Sequence, residues 1–197
     1  MQAAYEKFCY SIQRIEDLHS VHTALSAKLT EAIDLSDILR AEIVLTISAF
    51  DFFLHEITRL GMIECFLGVR ERSQGFQRFL IPMRSAVALD LNFFELEVRE
   101  KHRFQSFQQP DKVADAIRNF SDVPLWANVA NFLNQDASQV KLSLSLIVDR
   151  RNKIAHEADK SVVFPHDLWP IDKDTVLENI NTIRKIGAAI FDVVTVP

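Results

Sequence analysis

The run Asp149-Arg150-Arg151-Asn152-Lys153-Ile154-Ala155-His156-Glu157 gathers the side chains of this chain that are best suited to chemistry. An imidazole, with an ordinary pKa of about 6.5, can take up or release a proton near neutrality. A guanidinium keeps its charge throughout and presents its donors in a fork that matches phosphate oxygens. An amide between the two can orient either one. Arg151, Asn152 and His156 are therefore candidate catalytic residues for chemistry at a phosphate. Arg150 and Lys153, with Lys141 upstream and only Asp149 intervening, supply a local basic patch to hold the substrate.

Helical phase decides how these groups meet. The flanking residues predict a long amphipathic helix from about Ser138 to Ala158, capped by Asp136 or Ser138. At about 100° per residue, Leu144, Ile147, Val148, Ile154, Ala155 and Ala158 share one face, and Arg151 falls in its middle. An unpaired buried guanidinium is costly, so Arg151 there requires an acidic partner, a bound anion or a wet interface. Asn152 and His156 are four residues apart and stack on an adjacent side. A structural reading stands beside the catalytic one: Arg151 ion-paired in the core, Asn152 capping a neighbour, His156 favoured by the partial negative charge of a helix C-terminus.

A second helix, expected from about Ile38 to Leu60 and capped by Ser36 or Asp37, must pack beside it. Gly61 either stops or bends that helix, and Met62 to Gly68 prolong it. The helix is apolar nearly all round, as in the centre of a bundle, yet Arg40, Ser48, Asp51, His55, Thr58 and Arg59 fall on one sector. A polar strip on a buried helix must face something polar. Asp51 is the candidate supporting residue, pairing with Arg151 or orienting His156, and a solvent-facing strip is the competing reading. His55 is a bystander in either case.

The remaining pattern is also helical. A first helix is expected over about Glu6 to Glu31, further ones over Ser73 to Asp90 and Leu91 to Phe107, and shorter ones over Lys112 to Phe120 and Leu125 to Leu133. Pro82 either kinks the helix it lies in or sits in its first turn. Asp159 to Lys173 reads as a loop. Thr175-Val-Leu-Glu178 reads as a capping box opening a last helix, with Val176, Ile180, Ile183, Ile186, Ile190 and Val194 along one face. Only four Gly and six Pro leave little turn chemistry, and fifteen Phe point to a Phe-rich interior. The expectation is an all-α bundle with additional short helices, forming one domain over residues 1–197.

Composition excludes several classes. A net charge of −5 offers no global attraction to nucleic acid, so any polyanion must be held locally. Cys9 and Cys65 are far apart and lack metal spacing, and His19 and His22, three apart without a third ligand, read as surface histidines. No glycine-rich phosphate loop, His-Glu-x-x-His or nucleophile elbow is present. The expectation is no metal and no cofactor. The N-terminus lacks the apolar stretch of a signal peptide, and the run Ile43 to Leu54 is too short to span a bilayer. A cytoplasmic protein with no membrane association is expected.

Arg151-Asn152-x-x-x-His156, near the end of a long helix in a small all-α protein, resembles the HEPN superfamily. With the apolar second helix from Leu39 to Leu54 upstream and Asp149 to Glu157 downstream, the chain is most similar to the RiboL-PSP-HEPN branch. The resemblance implies a metal-independent endoribonuclease, often a toxin or an antiviral defence effector. It implies a homodimer in which two motif helices face each other and build one RNA-binding cleft. Arg150 also precedes His156 at a permitted spacing, which leaves two arginines for one role. The alternatives are a non-catalytic helical module that binds nucleotides or proteins, and a partner subunit of a defence or toxin–antitoxin complex.

Overall fold

The computed structural model describes residues 1–30, 33–83, 90–161 and 168–195. Among them lie eight helices: α1 (Gln2–Ser26), α2 (Ser36–Phe66), α3 (Gln74–Gln77), α4 (Leu91–His102), α5 (Pro110–Arg118), α6 (Leu125–Leu133), α7 (Ala137–Glu157) and α8 (Lys173–Thr195). The expected all-α bundle is the architecture observed. The single non-helical pairing among the described residues is an isolated bridge between Lys160 and Leu168.

α2 is the axis of the bundle. α1 and α8 pack along it and against each other, α7 lies antiparallel to it, and α4 and α5 lean on its C-terminal half. Phe8 and Ile12 of α1 and Ile43, Ile47, Phe50, Phe53, Leu54 and Ile57 of α2 lie in the core with essentially no exposure. The Phe8 and Phe53 rings stack at 4.9 Å, and Tyr5 stacks on Phe191 at 4.3 Å, joining α8 to the same layer. Val176, Ile180, Ile183, Ile186, Ile190 and Val194 are all buried, as the spacing of α8 requires. Close packing also explains two glycines. A Cβ on Gly61 would sit 2.3 Å from the Phe120 ring, and one on Gly187 would sit 2.4 Å from Phe8. Gly61 therefore does not stop α2; the helix runs through it to Phe66, and the missing side chain admits an aromatic ring.

Several boundaries differ from the sequence reading for identifiable reasons. α1 runs Gln2–Ser26, earlier at both ends than the expected span. α2 begins at Ser36 itself, and the side chain that accepts from the Ser36 amide, at 2.8 Å, belongs to Asp34. The expected helix from Ser73 to Asp90 is one short turn, α3, followed by non-helical residues 79–82; the remainder, 84–89, lies outside the described residues. Asp90 instead caps α4, accepting from the Phe93 amide at 2.9 Å. Asp172, rather than Thr175, caps α8 by accepting from the Thr175 amide at 2.9 Å. Pro124 and Asp136 sit where the sequence placed helix starts.

His19 and His22 are not surface residues. They are 7% and 6% exposed, and they flank Glu42, which is fully buried in α2. His19 Nδ1 and a Glu42 carboxylate oxygen are 2.8 Å apart, while the other Glu42 oxygen and His22 Nδ1 are buried without a partner among the described residues. Burial pushes the Glu42 pKa up, opposed by the hydrogen bond and charge of His19. A raised native pKa means that the stability belonging to protonated Glu42 is present below the ordinary glutamate range and fades as pH rises through the native value. Glu42→Gln should therefore gain stability relative to the parent as pH is raised from about 4 towards neutrality. His19→Ala, which strands the carboxylate, should cost about 3 kcal/mol near neutral pH. Thermal melts of the three proteins across that range measure both effects, and a flat difference between parent and Glu42→Gln would refute the assignment.

Candidate functional site

α7 places the candidate residues. Asp136 opens it, its carboxylate accepting from the amides of Ser138 at 2.7 Å and Gln139 at 3.4 Å. Val140, Leu144, Ile147 and Val148 are buried against the bundle, as the helical phase requires. The next position on that face is Arg151, which is partly buried. Beyond it the face opens: Ala155 and Ala158 are exposed and Ile154 is half-buried. The helix closes through two residues in the left-handed region, Ala158 (φ 52) and Asp159 (φ 54), with the Asp159 amide donating to the Lys153 carbonyl at 3.0 Å. Alanine has no intrinsic preference for that conformation, so the closure must be held by something else.

Asp159 holds it. This carboxylate, 1% exposed, receives a two-pronged contact from Arg150 and a 2.6 Å hydrogen bond from Arg40 Nε near the start of α2. Arg40 also donates to Ser36 Oγ at 2.5 Å and to the Trp169 carbonyl at 3.0 Å. Arg150 reaches the carbonyls of Trp169 and Pro170, both at 3.3 Å. The Trp169 amide in turn donates to the Asp159 carbonyl at 2.9 Å. One buried carboxylate thus ties the C-terminal end of α7 to α2 and to the segment leading into α8. The sequence reading assigned Arg150 to substrate; the structure instead commits its guanidinium to Asp159, away from the exposed Lys153.

Arg151 is in the opposite situation. Its Nη1 donates to Asn152 Oδ1 at 3.0 Å. Its Nε is buried with no hydrogen-bond partner, and among the described residues no carboxylate lies within ion-pair range of its guanidinium. Asn152 is half-buried, and His156 is exposed in the last turn of α7, at the negative end of the helix dipole. Lys153 is exposed, one turn ahead of His156 on the outer face, with its ammonium 5.3 Å from the Trp169 ring centre. The fold therefore brings Arg151 and Asn152 into direct contact and sets His156 a turn beyond, open to whatever approaches α7 from outside.

Asp51 does not support this group. Its carboxylate accepts from the Phe107 amide at 2.7 Å and stands 4.0 Å from His55 Nε2. His55 also lies 3.2 Å from the Gln105 carbonyl oxygen and its ring centre lies 4.4 Å from that of Phe107. Below them His102 is buried, its pKa pushed down to about 4 by desolvation, so it stays neutral at physiological pH. The polar sector of α2 therefore serves separate connections: Arg40 secures the end of α7, Asp51 and His55 pin the segment after α4, and Arg59 pairs with Glu56 and Glu95. Asp159 was not singled out in the sequence because a lone acid in a loop carries no spacing signal.

A cleft of about 470 Å³ abuts the end of α7, lined by Arg40, Val44, Leu45, Ile154, Ala158 and Asp159 among others; His156 is not part of its wall. Leu142 and Leu146, on the outer face of α7, are 51% and 60% exposed. Among the described residues no group of three or more His, Cys, Asp or Glu is placed to hold a metal ion, and no helix is long and apolar enough to cross a membrane. A family model described as RiboL-PSP-HEPN matches residues 10–196. Neither a curated protein nor a solved structure matches the chain.

Proposed function

The chain belongs to the RiboL-PSP-HEPN family, and from that membership and the geometry of α7 we propose that it is a metal-independent endoribonuclease whose site is completed by a second copy of the chain. HEPN-type modules are often ribonucleases. The observation that carries the reading is Arg151: a guanidinium with a buried Nε and, among the described residues, no carboxylate opposite it, set five residues before an exposed histidine. Such a group is held at a cost unless an anion completes it. A phosphodiester does so, and the contact between Arg151 and Asn152 leaves the remaining guanidinium donors to grip it.

RNA carries its own nucleophile. The 2′-oxygen attacks phosphorus, the bond from phosphorus to the 5′-oxygen breaks, and the products are a 2′,3′-cyclic phosphate and a 5′-hydroxyl. One proton leaves the 2′-hydroxyl and one arrives on the 5′-oxygen. His156 handles one of these transfers, and its symmetry copy across a dimer cleft handles the other. Arg151 stabilises the charge that builds on the phosphorane oxygens. Asn152 fixes the guanidinium and offers its amide hydrogens to a phosphate oxygen. Lys153 steers the RNA chain along the outer face. The exposed Leu142 and Leu146 give the outside of α7 an apolar surface that a second copy would cover.

Purified protein in a chelating buffer should cut structured RNA to ends bearing a 2′,3′-cyclic phosphate. A substrate with a single 2′-deoxy substitution at the cut should resist. Product-end analysis by mass spectrometry checks both. Intact RNA with and without divalent metal would instead favour a non-catalytic binding module. A role as a toxin or antiviral effector follows from the same activity, and it predicts a neutralising protein partner.

A further inference from the structure

Trp169 stands beside the motif, with the Lys153 ammonium over its indole ring. Its backbone is fixed at both ends. The carbonyl is gripped by Arg40 at 3.0 Å and Arg150 at 3.3 Å, and the amide donates to the Asp159 carbonyl at 2.9 Å. The indole itself is only half-buried, and no described residue accepts from its N–H. Lys153 lies over the ring at 5.3 Å and is three residues before His156, so the two neighbour each other on the outer face of α7. Exposed Lys160 adds a cation to the same end, where the exposed acids among the described residues include Glu157, Asp37 and Asp172.

We propose that Trp169 is a stacking platform for one unpaired nucleobase of the substrate, with Lys153 holding the adjoining phosphate and His156 acting one nucleotide further along. The inference rests on the ribonuclease reading above and adds to it the substrate class: RNA with an unpaired base next to the cut. A rigid aromatic face loses little freedom on binding, a base supplies the second ring on the face away from Lys153, and the Lys153 ammonium over the indole matches the backbone charge. The buried carboxylate clamp then has a second consequence, since it presents the platform at a fixed position relative to the motif helix. A protein partner stacking on Trp169 is the rival occupant, and the test separates the two.

The experiment uses the full chain carrying His156→Ala, so that RNA binds without being cut, and measures affinity for a short single-stranded RNA by fluorescence anisotropy. Trp169→Ala in that background should weaken binding by about 10- to 100-fold, while Trp169→Phe should retain most of it. The backbone clamp is common to all three proteins, so thermal midpoints should agree. An RNA series with one abasic position at a time should contain a position whose loss costs Trp169 protein its affinity and costs Trp169→Ala protein nothing further. Unchanged RNA affinity in Trp169→Ala would overturn the platform while leaving cleavage intact. Weakened self-association with unchanged RNA affinity would assign the ring to a protein contact and overturn it likewise. Equal losses in the Ala and Phe variants, with a fall in the thermal midpoint, would make the ring structural. Absence of both RNA binding and cleavage in the parent chain would remove the ribonuclease reading and this one together.

Discussion

His156→Ala should abolish RNA cleavage, lowering the rate by about 10²- to 10⁴-fold, while leaving the helical content and thermal midpoint of the protein unchanged. The separation of effects follows from where the side chain sits. His156 is exposed, and no described residue hydrogen-bonds its ring, so truncating it creates neither a cavity nor an orphaned polar group. Surface truncations of that kind usually stay within about 0.5 kcal/mol. Arg151→Ala should also lose activity, but its signature differs. Removing a partly buried guanidinium with an unsatisfied Nε relieves a cost in the free protein, so stability should hold or rise as activity falls. A time course on one labelled RNA, with circular dichroism melts of parent and both variants, checks the pair. Cleavage that persists in a clean preparation of His156→Ala would remove the imidazole from the mechanism.

The parts of this arrangement that were legible in the sequence are those governed by helical period. The inward face of α7 up to Val148, the six aliphatic residues of α8 and the starts at Pro124 and Asp136 all follow from local rules about spacing and capping. Arg151 was legible for the same reason: a cation in an apolar row is a contradiction that phase alone reveals. What escaped the sequence were pairings between elements distant in the chain. Arg40 and Asp159 are separated by 119 positions, and His19 and Glu42 by 23. The spacing of α1 does carry its apolar face from Phe8, Ile12 and Ile15 on through His19 and His22, but the acid that suits a histidine to that interior belongs to α2 and has no local signal. Asp51 was placed on the correct polar sector but given the wrong neighbour, since its partner is a backbone amide in the segment after α4, and amides carry no sequence signature.

The two arginines show how adjacency in sequence can mislead about role. They differ by about 100° around the axis. That rotation sends one guanidinium to a buried carboxylate and leaves the other without a described acidic partner. A tally of basic residues cannot divide them, but the position of a single acid beyond the helix end does. The same acid stabilises two consecutive left-handed residues that would otherwise resist the conformation. Structural and functional demands therefore meet within ten residues, the first securing the frame that the second requires.

Asp159→Ala should be the most damaging single substitution near the motif. Asp159 is 1% exposed and Arg40 is 7% exposed, so removing the carboxylate strands two guanidinium groups, one of them deeply buried, and withdraws the residue type that tolerates φ 54. Breaking a buried pair from one side costs about 3–5 kcal/mol. At about 2–4 °C per kcal/mol for a chain of this size, the thermal midpoint should fall by roughly 10 °C. Asp159→Asn keeps the backbone preference and two acceptor lone pairs but not the charge, and should fall between the parent and the Ala variant. Arg150→Met should be milder, because Arg40 still neutralises the carboxylate, and it carries the second half of the prediction. With its guanidinium committed to Asp159, Arg150 should leave RNA affinity unchanged within about 2-fold and should leave the salt dependence of binding unaltered, whereas loss of a phosphate ligand would flatten that slope by about one. A titration of RNA binding against salt, run on Arg150→Met and Lys153→Met together, decides it: a flattened slope in the Lys153 variant alone places the phosphate on the outer face, and a flattened slope in the Arg150 variant would mean that the clamp opens to bind RNA.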